Sequence, residues 1–368
     1  MNNFNSSKKY NNLIDYGSYG YIFYPPDDFN YTILNLDSNI QYIIKLILNN
    51  DGDDEINNQI LINNIDKNNE YHLGCYYKIN TIPKSINNHD FKLFNSYDIS
   101  ELCLIVQKYG GVDLYKAFKN KLINNLEEYK LFLIEIYRIL EGIKKFNENN
   151  LIHHDINPKN IVYNKSINRL NYIDFGLTTN KQTIIINSND SNYEFGIFHS
   201  SFPIESGFYN KNIYEEIINY DEKNINSYCY EIKKEIIYNI YKKESKIVSA
   251  LKDLFSFYYV LDNSKKSKDI KYDSLDKLNK FLINLKNNSY EDFINKSLNT
   301  FDLYGYGLCL LYSLRYCEIY LNNDLKEELY ELALKMADLN VFTRLTIETA
   351  QNQFNDLLVK HNILQIVN

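Results

Sequence analysis

The sequence predicts an α+β chain of two modest lobes, a strand-rich first part and a larger, mainly helical second part. Three observations lead there. Up to about Gln107 the chain reads as strands and glycine turns, and between Glu127 and Asn149 apolar residues fall at helical spacing. The length of 368 residues, with 45% hydrophobic content, gives both parts a sizeable core.

The first element is a hairpin. Leu13-Ile14-Asp15-Tyr16-Gly17-Ser18-Tyr19-Gly20-Tyr21-Ile22-Phe23 is two β-rich runs joined by a glycine turn. Backbone amides on such a turn can approach phosphate oxygens closely, although alone it is equally a structural hairpin. Gln41 to Leu48 is a strand with one charge, Lys45, in an apolar run. Such a lysine either snorkels from an edge or pairs with something specific. A helix is expected over Asp53–Leu61, with Ile56, Ile60 and Leu61 as its apolar stripe and the acids from Asp51 to Glu55 suited to its amino terminus. Leu102 to Gln107 is a buried strand, and Gly110-Gly111 breaks it in a way that suits a hinge. Asp113 reads as the N-cap of a helix over Leu114–Phe118. The long helix of Glu127–Asn149 follows, buried through Leu131, Ile134, Ile136, Ile139, Leu140, Ile143 and Phe146.

That helix leads into the stretch around which the chain is organised, Leu151-Ile152-His153-His154-Asp155-Ile156-Asn157-Pro158-Lys159-Asn160-Ile161-Val162, and then Tyr172-Ile173-Asp174-Phe175-Gly176. Short buried strands flank a rigid proline turn. Asp155 and Asn160, five residues apart, can face one cleft, and the next strand brings Asp174 towards it. A carboxylate with no adjacent cation suits a base that orients a hydroxyl. An amide oxygen and a second carboxylate are hard ligands that suit a magnesium ion carrying phosphates.

The two motifs together resemble the catalytic loop and metal-binding turn of protein kinases, H-R-D-x-x-x-x-N and D-F-G, in the right order and at the right separation. The resemblance implies a two-lobed protein-kinase-like fold, with a small β-rich lobe over 1–108 and a large, mainly helical lobe over 109–368. It implies that Asp155 accepts the proton of the substrate hydroxyl, with Asn160 beside it, and that Asn160 and Asp174 hold Mg2+. The hairpin resembles the glycine-rich loop, Gly17, Ser18, Tyr19 and Gly20 matching its second glycine, small residue, aromatic and third glycine. Lys45 matches the lysine of the V-A-I-K strand, Glu55 its helix partner, and Asp113 the acid that meets the ribose. The implied ATP site is thus Ile14, Gly17, Ser18, Tyr19, Gly20, Ile22, Lys45, Glu55 and Asp113.

Further on, Phe202-Pro203-Ile204-Glu205 resembles the A-P-E turn, and Phe301-Asp302-Leu303-Tyr304-Gly305 is expected to open the helix whose Asp holds the catalytic-loop backbone. Arg344, one of only four arginines, resembles the partner of that Glu205. The stretch of about 206–300 is short in the family and reads here as a helical insertion. Helices are expected over Ile213–Ile218, Glu231–Tyr241, Ser249–Tyr259 and Leu275–Leu285, serving as a docking surface for a partner or as an autoinhibitory element. Three residues depart from the family pattern: Asp15 for a glycine, His154 for the arginine before the catalytic Asp, and Asn157 for the lysine that neutralises the transferred phosphate. His154 implies activity that does not wait for phosphorylation between Leu177 and Ser201.

The reading is an ATP-dependent serine/threonine-protein kinase acting on protein substrates. A pseudokinase scaffold, supported by Asn157 and Asp15, is the first rival. A small-molecule kinase of the aminoglycoside or choline type is the second, disfavoured by Phe175-Gly176, Pro158 and the Pro203–Glu205 turn. The richness in Asn, Ile, Lys and Tyr (35 of the last) resembles kinases encoded by giant DNA viruses, and implies a cytoplasmic place in the host, or the virion. A net charge of −7 gives no general attraction for nucleic acid or an anionic membrane. The start, MNNFNSSKKYNN, lacks the apolar core of a signal peptide, and no apolar run reaches the ~18 residues a bilayer span needs. Cys75, Cys103, Cys229, Cys309 and Cys317 are scattered and read as reduced thiols.

Overall fold

The structure is a computed structural model and describes residues 13–17, 20–26, 29, 36–37, 39–74, 76–87, 91–190, 192–193, 201–219 and 267–367. It is mixed α and β, with an antiparallel sheet near the amino terminus and a mostly helical remainder. The chain divides into two compact units, Met1–Gly111 with Ile173–Gly176, and Val112–Tyr172 with Leu177–Asn368.

The strands of the first unit are β1 (Leu13–Gly17), β2 (Gly20–Phe23), β3 (Tyr42–Leu48), β4 (Tyr77–Ile79) and β5 (Leu102–Lys108). They form one sheet in the order β1-β2-β3-β5-β4, antiparallel at every pairing. Both faces of β3 are covered, which is why it reads as a nearly unbroken apolar run. Ile44 and Leu46 turn to a cluster with Phe23, Phe91, Phe94, Leu104 and Val106. Ile47 turns the other way, to Tyr76, Cys103 and Ile105, where Ile56 of α1 (Asn49–Ile65) packs. Strand alternation puts Lys45 on this second face, towards α1.

That helix corrects the expected one. It begins at Asn49, directly after β3, rather than near Asp53, and no side chain caps it. Packing sets its start instead. A Cβ on Gly52 would stand 2.5 Å from Cys103 Sγ, so the helix meets the sheet at a residue without a side chain. Asp51 still lies in its first turn, as the dipole favours. A short α2 (Lys84–Asn87) follows β4.

The second unit begins with β6 (Val112–Asp113), α3 (Leu114–Lys119) and α4 (Leu126–Glu148). Asn125 caps α4 by accepting from Glu128 N at 2.9 Å, and the helix buries Phe132, Ile136, Ile139, Leu140, Ile143 and Phe146. Next come β7 (Leu151–Ile152), β8 (Ile161–Asn164), β9 (Arg169–Tyr172) and β10 (Thr179–Asn180), in two small sheets ordered β6-β8-β9 and β10-β7. The helices after them are α5 (Lys181–Asn187), α6 (Lys211–Asn219), α7 (Ser267–Lys286), α8 (Tyr290–Cys317), α9 (Asn323–Met336) and α10 (Ile347–Lys360).

Helix α8 corrects a second expectation. Phe301 does not open it: the helix starts at Tyr290, where Ser289 caps it by accepting from Asp292 N at 3.0 Å. The proposed 206–300 insertion therefore runs into an element of the unit's core. A Ser-x-x-Asp cap outweighs the resemblance as a start signal. The expected helices at Ile213–Ile218 and Leu275–Leu285 lie within α6 and α7, whereas Glu231–Tyr241 and Ser249–Tyr259 fall outside the described residues. Among the described residues no helix is long and apolar enough to cross a membrane, and Cys103, Cys309 and Cys317 are buried free thiols.

Candidate functional site

The first unit holds an ionic cluster. Lys45 Nζ stands 2.8 Å from Glu55 Oε2 and 3.2 Å from Asp174 Oδ1. Lys45 and Glu55 are buried, while the Asp174 side chain keeps 37% of its surface exposed. Burial alone would lower the Lys45 pKa, but Asp174 and Glu55 outweigh it and raise the value above that of an ordinary lysine. Lys45 thus stays charged throughout the physiological range. Asn58, one turn beyond Glu55 on α1, donates to Phe175 O at 2.9 Å and so holds the Asp174 turn by its backbone. Sequence reasoning missed Asn58. Its spacing of three from Glu55 on a helix face was the available signal.

The hairpin forms as expected, with Gly17 paired to Gly20, while Ser18 and Tyr19 fall outside the described residues. The register slips between Leu13 and Asp15, which leaves Ile14 as the extra residue of a bulge. Asp15 pairs with Ile22, and Ile22 with Lys45. The three residues therefore form one cross-strand row, with an acid at one end and the ammonium at the other.

The second unit holds a different arrangement around Asp155. Its Oδ1 accepts from Asn157 Nδ2 at 2.7 Å and its Oδ2 from Asn160 Nδ2 at 2.7 Å. Both amides also donate to the Asp155 main-chain oxygen, at 3.2 and 3.0 Å. The Asn157 carbonyl accepts from Lys159 N at 2.9 Å, closing the turn around Pro158. The loop backbone hangs on Asp302 of α8, which accepts from His153 N at 2.8 Å and His154 N at 3.0 Å. Gly305, one turn further, lies where an added Cβ would collide with Ile156 O. Asp302 thus takes the role that the resemblance implied, although from the middle of its helix.

His154 adopts the left-handed region at φ 71°. It stacks on Phe202 with centroids 6.1 Å apart and meets the edge of Phe301 at 4.6 Å. Burial pushes its imidazole down to about 4, against a smaller upward pull from its hydrogen bond to Leu177 O. It is therefore neutral at pH 7, an aromatic contact where a cation was the family pattern. Lys159 does not turn to Asp155 either, since its ammonium lies 6.0 Å over the Tyr115 ring. Asp113 caps α3, accepting from Lys116 N at 2.8 Å, as the N-cap reading expected. Glu205 and Arg344 form a fully buried bidentate pair, at 2.6 and 2.9 Å.

Asp174 in the first unit carries a carboxylate and Asn160 in the second an amide oxygen, each by itself a hard donor of the kind magnesium takes. Among the described residues no three His, Cys, Asp or Glu side chains are grouped to hold a metal by themselves.

No protein-family model matches the chain. It is 26% identical over 102 residues to a Dictyostelium discoideum protein described as a probable myosin light chain kinase. The match covers 27% of this chain, and the chain spans about a fifth (21%) of that protein's length. The similarity is partial and low, and hints at relatedness to kinases. The expected likeness to giant-virus kinases has no support in this match.

Proposed function

We propose that the chain is a protein kinase that transfers the ATP γ-phosphate to serine or threonine hydroxyls of protein substrates. The observation that carries this is the Asp155 carboxylate, held between the amides of Asn157 and Asn160 on a loop hung from Asp302. The Lys45–Glu55–Asp174 cluster supports it independently. The substrate hydroxyl oxygen would attack the γ-phosphorus and the bond to the β–γ bridging oxygen would break. Asp155 would take the hydroxyl proton, and ADP would leave. Lys45 would meet the α- and β-phosphates, with the Gly17–Gly20 hairpin over them. Magnesium held by Asp174 and Asn160 would supply neutralising charge to the phosphates.

A second reading, a nucleotide-binding scaffold without transfer, draws on Asn157 and Asp15, which remove a positive charge and add a negative one. Incubation with labelled ATP, magnesium and a mixed protein substrate separates the two. Phosphoserine or phosphothreonine in the product is expected. Nucleotide binding without labelled product would favour the scaffold.

A further inference from the structure

Position 157 carries an amide where the resemblance would place a cation, and the geometry shows what that amide does. Asn157 is buried, donates to Asp155 Oδ1 at 2.7 Å, and accepts from Lys159 N at 2.9 Å. Asn160 takes the opposite oxygen of the same carboxylate at 2.7 Å. A carboxylate gripped at both oxygens cannot rotate about its Cβ–Cγ bond without breaking a charge-assisted hydrogen bond. Each grip also comes from within the same six-residue turn, Asp155 to Asn160, so the turn and the carboxylate plane are set together.

We propose that Asn157 is a positioning residue for the base of phosphoryl transfer. With Asn160 it fixes the plane of the Asp155 carboxylate, and it does not act on the transferred phosphate. The inference rests on the kinase reading above. It also explains the lysine next door: Lys159 sits over Tyr115 and leaves Asp155 to the two amides. Position 157 then serves orientation rather than charge. A base held within a few degrees of its working geometry gains rate without any added charge.

The test uses the full chain and compares Asn157→Asp, Asn157→Ala and Asn157→Lys with wild type, reading kcat, KM for ATP and the melting temperature. Asn157→Asp has the same shape and keeps the oxygen that accepts from Lys159 N, but it replaces the donor to Asp155 with a like charge. Both Asn157→Asp and Asn157→Ala are expected to lower kcat at least tenfold, with KM for ATP within twofold of wild type. Tenfold corresponds to about 1.4 kcal/mol of barrier. If Asn157→Ala does not fold, Asn157→Asp carries the test. A wild-type kcat in Asn157→Asp would reduce the residue to a turn former and overturn the inference. So would a kcat above wild type in Asn157→Lys, which would show that the position lacks charge rather than orientation. Absence of turnover in wild type overturns the kinase reading and this inference with it. Turnover in wild type that Asn157→Asp leaves unchanged overturns this inference alone.

Discussion

The two units hold their acidic groups in opposite ways. In the first, one ammonium, Lys45, stands between two carboxylates, and charge holds charge. In the second, Asp155 is held by two neutral amides, with a neutral histidine beside it in the chain. The two carboxylates hold the Lys45 ammonium charged, while burial pushes the Glu55 carboxyl above its usual range. An amide grip fixes direction and leaves the carboxylate's charge uncompensated for chemistry. The contrast assigns electrostatics to the first unit and orientation to the second, and it can be broken or sharpened in four ways.

The largest effect is expected from Asp155→Asn. Removing a proton acceptor that also orients the hydroxyl should cost on the order of 10³-fold in transfer, with nucleotide affinity unchanged. Steady-state rates and nucleotide titration check both halves. Equal rates in variant and wild type would remove Asp155 from the mechanism, and the contrast with it.

Glu55→Gln probes the other cluster. It leaves Lys45 with a single acidic partner, so the ammonium shifts towards Asp174 and away from phosphate. Loss of a hydrogen bond between charged groups costs roughly 1.5–3 kcal/mol, or about ten- to a hundredfold in kcat/KM for ATP. The effect should appear in KM as well as kcat, unlike that of the Asn157 substitutions. A pure kcat effect would erase the distinction between the two clusters.

Acid should separate the units next. His154 titrates at about 4 in the folded chain and near 6.5 when unfolded, so between these values the unfolded state binds the extra proton. Stability from this residue is whole above pH 6.5 and is lost as pH falls towards 4, by on the order of 3 kcal/mol. Lys45 is raised above its ordinary value, so its contribution is present at every pH below that and does not change in this window. Urea unfolding from pH 7 to 4 should therefore flatten in His154→Phe. An unaltered slope would show that other groups carry the acid limb.

The smallest effect belongs to Asp15. Its place in the Asp15–Ile22–Lys45 row puts a negative charge on the first strand of the hairpin proposed to cover the phosphates. Asp15→Asn should tighten ATP binding by two- to fivefold, roughly 0.4–1 kcal/mol, the scale of an exposed charge interaction. The gain should shrink in high salt. Weaker binding in the variant would give Asp15 a favourable role that the row does not predict.

The sequence by itself determined the local chemistry of this chain. The five-residue spacing of Asp155 and Asn160 around Pro158 dictates a turn that brings both side chains together, because a proline turn is a property of adjacent dihedrals. The Lys45 strand was legible for a similar reason, since a single charge in an unbroken apolar run either snorkels from an edge or pairs. Asp113 as a cap and the apolar face of α4 followed from short-range periodicity. Tertiary structure decided the rest. It started α1 at Asn49, where Gly52 meets Cys103, and α8 at Tyr290, so that Asp302 reaches the loop from mid-helix. It turned the Asn157 amide onto Asp155 and set His154 between Phe202 and Phe301. The physical reason is that a side chain's partner depends on which distant groups packing brings within about 3 Å. An asparagine reads the same in sequence whether it faces solvent, phosphate or a carboxylate.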